Sequence, residues 1–341
     1  MNMHFLSPGH RGMVMFLVTL VLGAILISGC TTTNPGQGGA QIPPTTQSPS
    51  LPPHNGQKLI LATTTSLYDT GLLDYLEPLF EEKYGVDLLI TSQGTGKALE
   101  IAKRGDCDIL AVHSPDQEKA FMDGGYGINR RCFAYNYFIV VGPAGDPAGI
   151  RGMAPQEAFR TILGKGKAGN PGIFFVSRGD NSGTHSAEKN IWKASGYNYT
   201  SEVQRSGAWY IEAGKGMGET LQLASEKGAY TLTDEGTYLA YRGKLNLVPI
   251  IEEGDLLLNV YSVITVYAKN QPVEKITMAN NFVNFLISPG IQAKIGEYGK
   301  EKYGKGLFIP MNGGCMRFEC DCTTPASETT PSSSFPSLSS R

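Results

Sequence analysis

The chain has 341 residues, 41% of them hydrophobic and 18% charged, a globular composition long enough for about two domains at ~100 to 200 residues each. Its formal net charge of -2 supplies no basic excess, which excludes the counterion-release attraction on which nucleic-acid binding rests. Any anion must therefore be held by local geometry and not by bulk charge.

At the N-terminus His10 and Arg11 precede an apolar run from Met13 to Ile27, the layout of a signal peptide and short for a bilayer span. The run ends in Ile27-Ser28-Gly29-Cys30, a lipobox pattern. Residues 1–29 are thus expected to be a signal peptide and Cys30 the lipidated residue, with an uncleaved anchor as the alternative. Either way the protein would sit outside the cytoplasm, held at the outer face of the cell membrane. Residues 30–57 are rich in Thr, Pro, Gln and Ser, with little to bury, and read as a disordered tether. Residues 313–341 form a cysteine-containing, Ser/Thr/Pro-rich tail.

The body alternates strand and helix. Lys58 to Ala62 reads as a strand, and Leu72, Leu73, Leu76, Leu79 and Phe80 then recur at helical spacing, with Pro78 expected to kink that helix or weaken it. Strands are expected at Val86–Thr91, Asp108–His113 and Phe133–Val141, with helices at about Thr95–Arg104 and Pro115–Met122. A second set follows: helix Pro155–Leu163, strand Ile173–Val176, helix Ser186–Ala194, strand Trp209–Glu212, helix Met217–Glu226, strand Ala229–Leu232. After Leu245–Ile251, a strand at Val260–Tyr267 and helical patterns over Ile276–Ile295 return to the first set. The expectation is an α/β fold of two lobes, each an open, mostly parallel sheet with flanking helices. Residues 58–140 and 260–312 would form lobe I and residues 141–259 lobe II, with a hinged cleft between them.

Two polar clusters stand where a strand gives way to a helix, a position that favours anions because first-turn N–H groups are unpaired and the helix dipole is positive there. The first is Thr63-Thr64-Thr65-Ser66; the second runs from Ser177 to His185 and includes Arg178, Asp180, Ser182 and Thr184. Either alone would pass for an ordinary helix N-cap. Together they place one donor set in each lobe, and Arg178 adds a planar fork of donors suited to an oxyanion, although a surface salt bridge to Asp180 is the plain alternative. Thr95, in Gly94-Thr95-Gly96, and Ser114, after His113, lie at further strand ends of lobe I. Gly216, in Gly214-Lys215-Gly216-Met217-Gly218, reads as a tight turn that approaches the ligand and not as a dinucleotide loop.

No nucleophile elbow surrounds Ser182, and no Walker A, H-E-x-x-H or C-x-x-C pattern occurs, so an enzyme is not expected. Apart from Cys30, the cysteines are Cys107, Cys132, Cys315, Cys320 and Cys322. The odd number leaves at least one unpaired within the chain, and their spacing matches no zinc pattern; neither a metal nor a cofactor is expected.

Seven segments carry a family resemblance: T-T-T-S at 63–66, G-T-G-K-A-L-E at 94–100, G-D-C-D-I-L-A-V-H at 105–113, Y-N-Y-F-I-V-V-G-P at 135–143, V-S-R-G-D-N-S-G-T-H at 176–185, E-A-G-K-G-M-G-E-T-L at 212–221 and Y-T-L-T-D-E-G-T-Y-L at 230–239. In order and spacing they resemble the tungstate-binding proteins of ABC importers, the TupA family. The resemblance implies a type II periplasmic-binding-protein fold, a bound tungstate at the interlobe cleft, and delivery to a permease driven by an ATPase; a monomer is expected. It implies that Thr64, Thr65, Ser66, Arg178 and Thr184 hold the anion. Phosphate and molybdate remain the rival ligands, phosphate because Asp180 offers an acceptor for its proton, molybdate because it shares tungstate's charge and shape. A tethered surface protein is the reading from another class.

Overall fold

The computed structural model describes residues 56–268 and 271–311. The signal-peptide segment, Cys30, the tether up to residue 55 and the tail with Cys315, Cys320 and Cys322 lie outside the described residues. The elements in chain order are β1 (Lys58–Thr64), α1 (Thr65–Asp69), α2 (Leu72–Tyr84), β2 (Asp87–Gln93), α3 (Thr95–Lys103), β3 (Ile109–Val112), α4 (Pro115–Asp123), β4 (Gly127–Gly142), α5 (Pro155–Lys167), β5 (Phe175–Ser177), α6 (Gly183–Ala194), β6 (Tyr210–Glu212), α7 (Met217–Lys227), β7 (Thr231–Asp234), α8 (Glu235–Tyr241), β8 (Val248–Ile251), β9 (Leu258–Val266), α9 (Val273–Ile287), α10 (Pro289–Glu297), α11 (Lys300–Tyr303) and β10 (Ile309–Pro310).

The long strand β4 organises the chain. From Gly127 to Tyr137 it pairs antiparallel with β9, and from Phe138 onward it changes partner to β7 and then β8. On one side of that change the strand order is β10-β4-β9-β3-β1-β2, with β1 parallel to both β2 and β3. On the other side, β5 and β6 form a separate parallel pair, and Phe175 bridges to Tyr230. The architecture is therefore α/β, but its sheets are mixed where mostly parallel ones were expected. β9 inserts antiparallel between β3 and β4, a long-range pairing that local periodicity does not encode.

Apolar spacing explains the packing. The face of α2 buries Leu72, Leu73, Leu76 and Phe80, and Phe80 meets Phe282 and Phe285 of α9 edge-on at 4.9 and 5.4 Å. Pro78 sits inside α2 without ending it. A second core, drawn from residues 138–257, centres on Phe159, Phe175 and Trp192. The predicted helix over 276–295 is two, since Ser288 and Pro289 break the pattern between α9 and α10. Cys107 is a free thiol that burial pushes up to about 12, whereas Cys132 is disulfide-bonded. Among the described residues no helix is long and apolar enough to cross a membrane.

Helix α5 approaches Trp209 so closely that a Cβ on Gly166 would lie 2.5 Å from the indole. Gly166→Ala is expected to cost about 1–3 kcal/mol through overpacking, measured as a lower urea midpoint with an unchanged m value.

Candidate anion site

The two polar clusters meet, since Arg178 of the second donates to Thr65 of the first. β1 ends at Thr64, whose side chain caps α1 by accepting from the Leu67 N–H at 3.3 Å, and the N–H groups of Thr65 and Ser66 fall in the first helical turn, which has no intrahelical partners. β5 leads through Arg178 to Ser182, which caps α6 by accepting from the His185 N–H at 3.1 Å. The intervening loop turns on two left-handed residues, Gly179 (φ 62°) and Asn181 (φ 61°). At Gly179 a Cβ would also strike the Glu212 Cβ at 2.8 Å, so the position requires glycine.

Arg178 is 1% exposed. Its Nη2 donates to Asp180 Oδ2 at 2.5 Å and to Thr65 Oγ1 at 3.1 Å, which ties the second cluster to the first. The salt bridge to Asp180 is thus present, between a buried arginine and a partly buried carboxylate. Its Nε and Nη1, together with the hydroxyls of Thr95 and Thr184, find no hydrogen-bond partner within the protein. Buried polar groups are nearly always paired, and each orphan costs about 1–3 kcal/mol. An unpaired guanidinium edge and two unpaired hydroxyls in one region mark a place built for an acceptor.

Contacts between the turns show that these groups belong together. A Cβ on Gly94, next to Thr95, would lie 3.1 Å from Asp180 Oδ2, and the Gly96 N–H donates to the Asn181 carbonyl at 3.3 Å. A Cβ on Gly183, next to Thr184, would lie 2.7 Å from the His113 ring, and one on Gly216 would lie 3.7 Å from Thr65. The N-termini of α1, α3, α6 and α7 therefore adjoin one region, and helix N-termini favour anions.

Each carboxylate oxygen of Asp180 and Asp234 already accepts one hydrogen bond. Asp180 Oδ1 takes the Ser182 N–H at 3.1 Å. Asp234, pushed up to about 6 by burial, accepts from the N–H and hydroxyl of Thr237 at 2.8 and 2.7 Å. Burial raises Asp69, while Arg178 and the Gly218 N–H hold it back.

The remaining candidates separate. Thr63 donates its hydroxyl hydrogen to the Ala111 carbonyl at 2.8 Å, inside the sheet. Ser114 accepts from Gln117 at 3.1 Å and lines a neighbouring cavity of about 380 Å³ with His113 and Asn259. Ser66 Oγ lies 2.8 Å from His113 Nε2 and 3.3 Å from Thr64 Oγ1. Sequence reasoning missed Asp69 and Asp234, which no motif marks as neighbours of Arg178. It also missed Gln117, whose Nε2 donates to Ser186 Oγ at 2.8 Å and the Asn181 carbonyl at 3.3 Å. Among the described residues no group of three or more His, Cys, Asp or Glu is placed to hold a metal ion.

Two sets of elements sharing one long strand, with helix N-termini converging on a buried arginine between them, define a solute-binding protein. A model of the PBP superfamily domain matches residues 32–289. A protein of Haloferax volcanii assigned to ABC-transporter anion binding is 43% identical over 303 residues, covering 86% of this chain and 84% of that one. The tungstate-binding protein TupA of Peptoclostridium acidaminophilum is 38% identical over 300 residues, covering 88% of this chain and 98% of its own length. Among solved structures, TupA from Desulfovibrio alaskensis is 42% identical, with a TM-score of 0.61 over 75% of this chain and 99% of that one. The chain belongs to the periplasmic-binding-protein superfamily and, within it, to the TupA family.

Burial lowers the imidazoles of His113 and His185 to about 4 each. The unfolded chain therefore takes up protons below about pH 6.5 that the folded protein refuses until about pH 4, and stability present above 6.5 is lost as pH falls through that window. In a protein carrying His113→Gln and His185→Gln, urea unfolding between pH 6.5 and 4 is expected to depend less steeply on pH than in the wild type.

Proposed function

We propose that this protein is the extracytoplasmic solute-binding component of an ABC importer, and that it captures tungstate and delivers it to a permease driven by an ATPase. One observation carries the choice of ligand: every unpartnered buried group of the site can donate, the Arg178 Nε and Nη1 and the hydroxyls of Thr95 and Thr184, while the nearby carboxylate oxygens of Asp180 and Asp234 already accept hydrogen bonds. Tungstate is fully deprotonated at neutral pH and takes donors only. Phosphate keeps a proton at neutral pH and asks for an acceptor, and the nearest carboxylate, Asp180, already accepts from Arg178 and Ser182. The names of the TupA relatives support the same reading.

In this reading Arg178, Thr65, Thr95, Ser182 and Thr184 contact the anion, with first-turn N–H groups of α1 and the turn at Gly216 completing the shell. Lobe I (58–140 and 260–312) and lobe II (141–259) hinge where β4 changes partner, and the anion stabilises the closed form by bridging donors of both. The protein is a monomer without catalytic activity, and Cys30 carries the lipid that holds it to the membrane.

Titration calorimetry with tungstate, molybdate, phosphate and sulfate at one ionic strength tests the proposal. Tight binding of tungstate with phosphate silent is expected; phosphate binding more tightly than tungstate would refute the choice of ligand, and no heat from any of the four would end the oxyanion reading. Arg178→Ala is expected to weaken tungstate at least about tenfold, near 1.4 kcal/mol. Thr184→Val is expected to weaken it by a similar factor while leaving ligand-free stability unchanged or higher, since it removes an orphaned buried hydroxyl.

A further inference from the structure

The hydrogen bonds behind the first cluster have a fixed direction. Asn136 Nδ2 donates to the Leu307 carbonyl at 3.4 Å, so Asn136 Oδ1 is left to accept from Asn259 Nδ2 at 2.9 Å. Asn259 Nδ2 also donates to the Tyr261 hydroxyl at 2.8 Å, which turns Asn259 Oδ1 toward His113 Nδ1 at 2.8 Å. An amide oxygen only accepts, so His113 carries its hydrogen on Nδ1. In the neutral ring Nε2 is then an acceptor, and its partner is the Ser66 hydroxyl at 2.8 Å.

We propose that His113 is a positioning residue that takes the single hydroxyl hydrogen of Ser66 away from the anion, so that Ser66 supports the site and does not donate to the ligand through its side chain. Ser66 and His113 are both buried, at 0% and 2% exposure, so solvent does not compete for that hydrogen. The groups facing the ring are consistent with a neutral imidazole. Asn259 and Tyr261 belong to β9, and Tyr261 and Phe138 of β4 lie ring to ring at 4.9 and 6.2 Å. Gly183 of α6 abuts the ring. Arg178 and Asp180 act on it with opposite signs, and Asp116 and Asp255 line the cavity it shares.

The consequence is a division of labour within one turn. Thr65, whose oxygen accepts from Arg178, keeps its hydrogen for the ligand, whereas Ser66 holds His113, and through it Asn259, beneath the site. This rests on the functional reading only for the word ligand; the tautomer does not.

Long-range 15N–1H correlation spectra of the full chain, with His113 assigned through His113→Gln, report the tautomer directly. The expected result is Nδ1–H with a bare Nε2, with and without tungstate. Ser66→Ala is then expected to lower the urea midpoint, by leaving Nε2 buried without a donor, and to weaken tungstate less than about threefold. That profile is the reverse of Thr184→Val. Hydrogen on Nε2, or a Ser66→Ala loss of affinity equal to that of Thr184→Val, would overturn the proposal. An Nδ1–H signature in a protein that binds no tungstate would uphold the His113 assignment and sink the functional reading instead.

Discussion

The buried ion pair between Arg178 and Asp180 is the constraint on which the rest of the site depends. A guanidinium at 1% exposure is tolerable only with a partner, because removing a charge from water costs several kcal/mol that a close and well-bonded counter-ion must offset. Asp180 meets that need from two residues away, which forces the loop into the left-handed turns at Gly179 and Asn181. Beneath it, Ser177 Oγ accepts from the Gly179 N–H at 3.2 Å and donates to Glu188 at 2.6 Å. Glu188, which burial pushes up to about 7, also accepts from Trp192 at 2.9 Å and Tyr210 at 2.7 Å. The loop that aims Arg178 is thus fixed to the aromatic core of the second half of the chain.

Once Asp180 has been matched to Arg178, the orphaned donors come from several separate elements: Nε and Nη1 after β5, Thr95 on α3, Thr184 on α6. No single half of the chain holds them all. Arg178 to Thr65, Gly96 to Asn181 and Gln117 to Ser186 are the bonds that keep these elements in register. Apolar packing joins the same parts of the chain, since one core cluster takes in Leu67 and Leu72 together with Met217, Leu221 and Tyr238.

Much of this was legible in the sequence because the site sits on strand ends. A short apolar run followed by Thr63-Thr64-Thr65-Ser66, and another followed by Arg178 to Thr184, announce strand, turn and helix with local chemistry alone. What stayed hidden depends on distance along the chain. His113 and Asn259 are separated by 146 positions, and nothing near either residue signals the other. The antiparallel insertion of β9 is invisible for the same reason: periodicity identifies a strand but not its neighbour. Thr63 misled because its hydroxyl looks like those beside it, yet the alternation of a strand turns it toward Ala111. Thr95 reads from the sequence only as a residue at a further strand end, and burial is what shows that its hydroxyl lacks a partner within the protein.

The matching of Arg178 by Asp180 also bears on how an ion arrives. Arg178 is matched by Asp180 and the chain carries a net charge of -2, so net charge offers a dianion little attraction toward the site. In the proposed reading, association then depends mainly on diffusion and little on salt. In the same reading discrimination lies in residence: an ion that satisfies the orphaned donors of Arg178, Thr95 and Thr184 leaves slowly, while one that does not is soon lost.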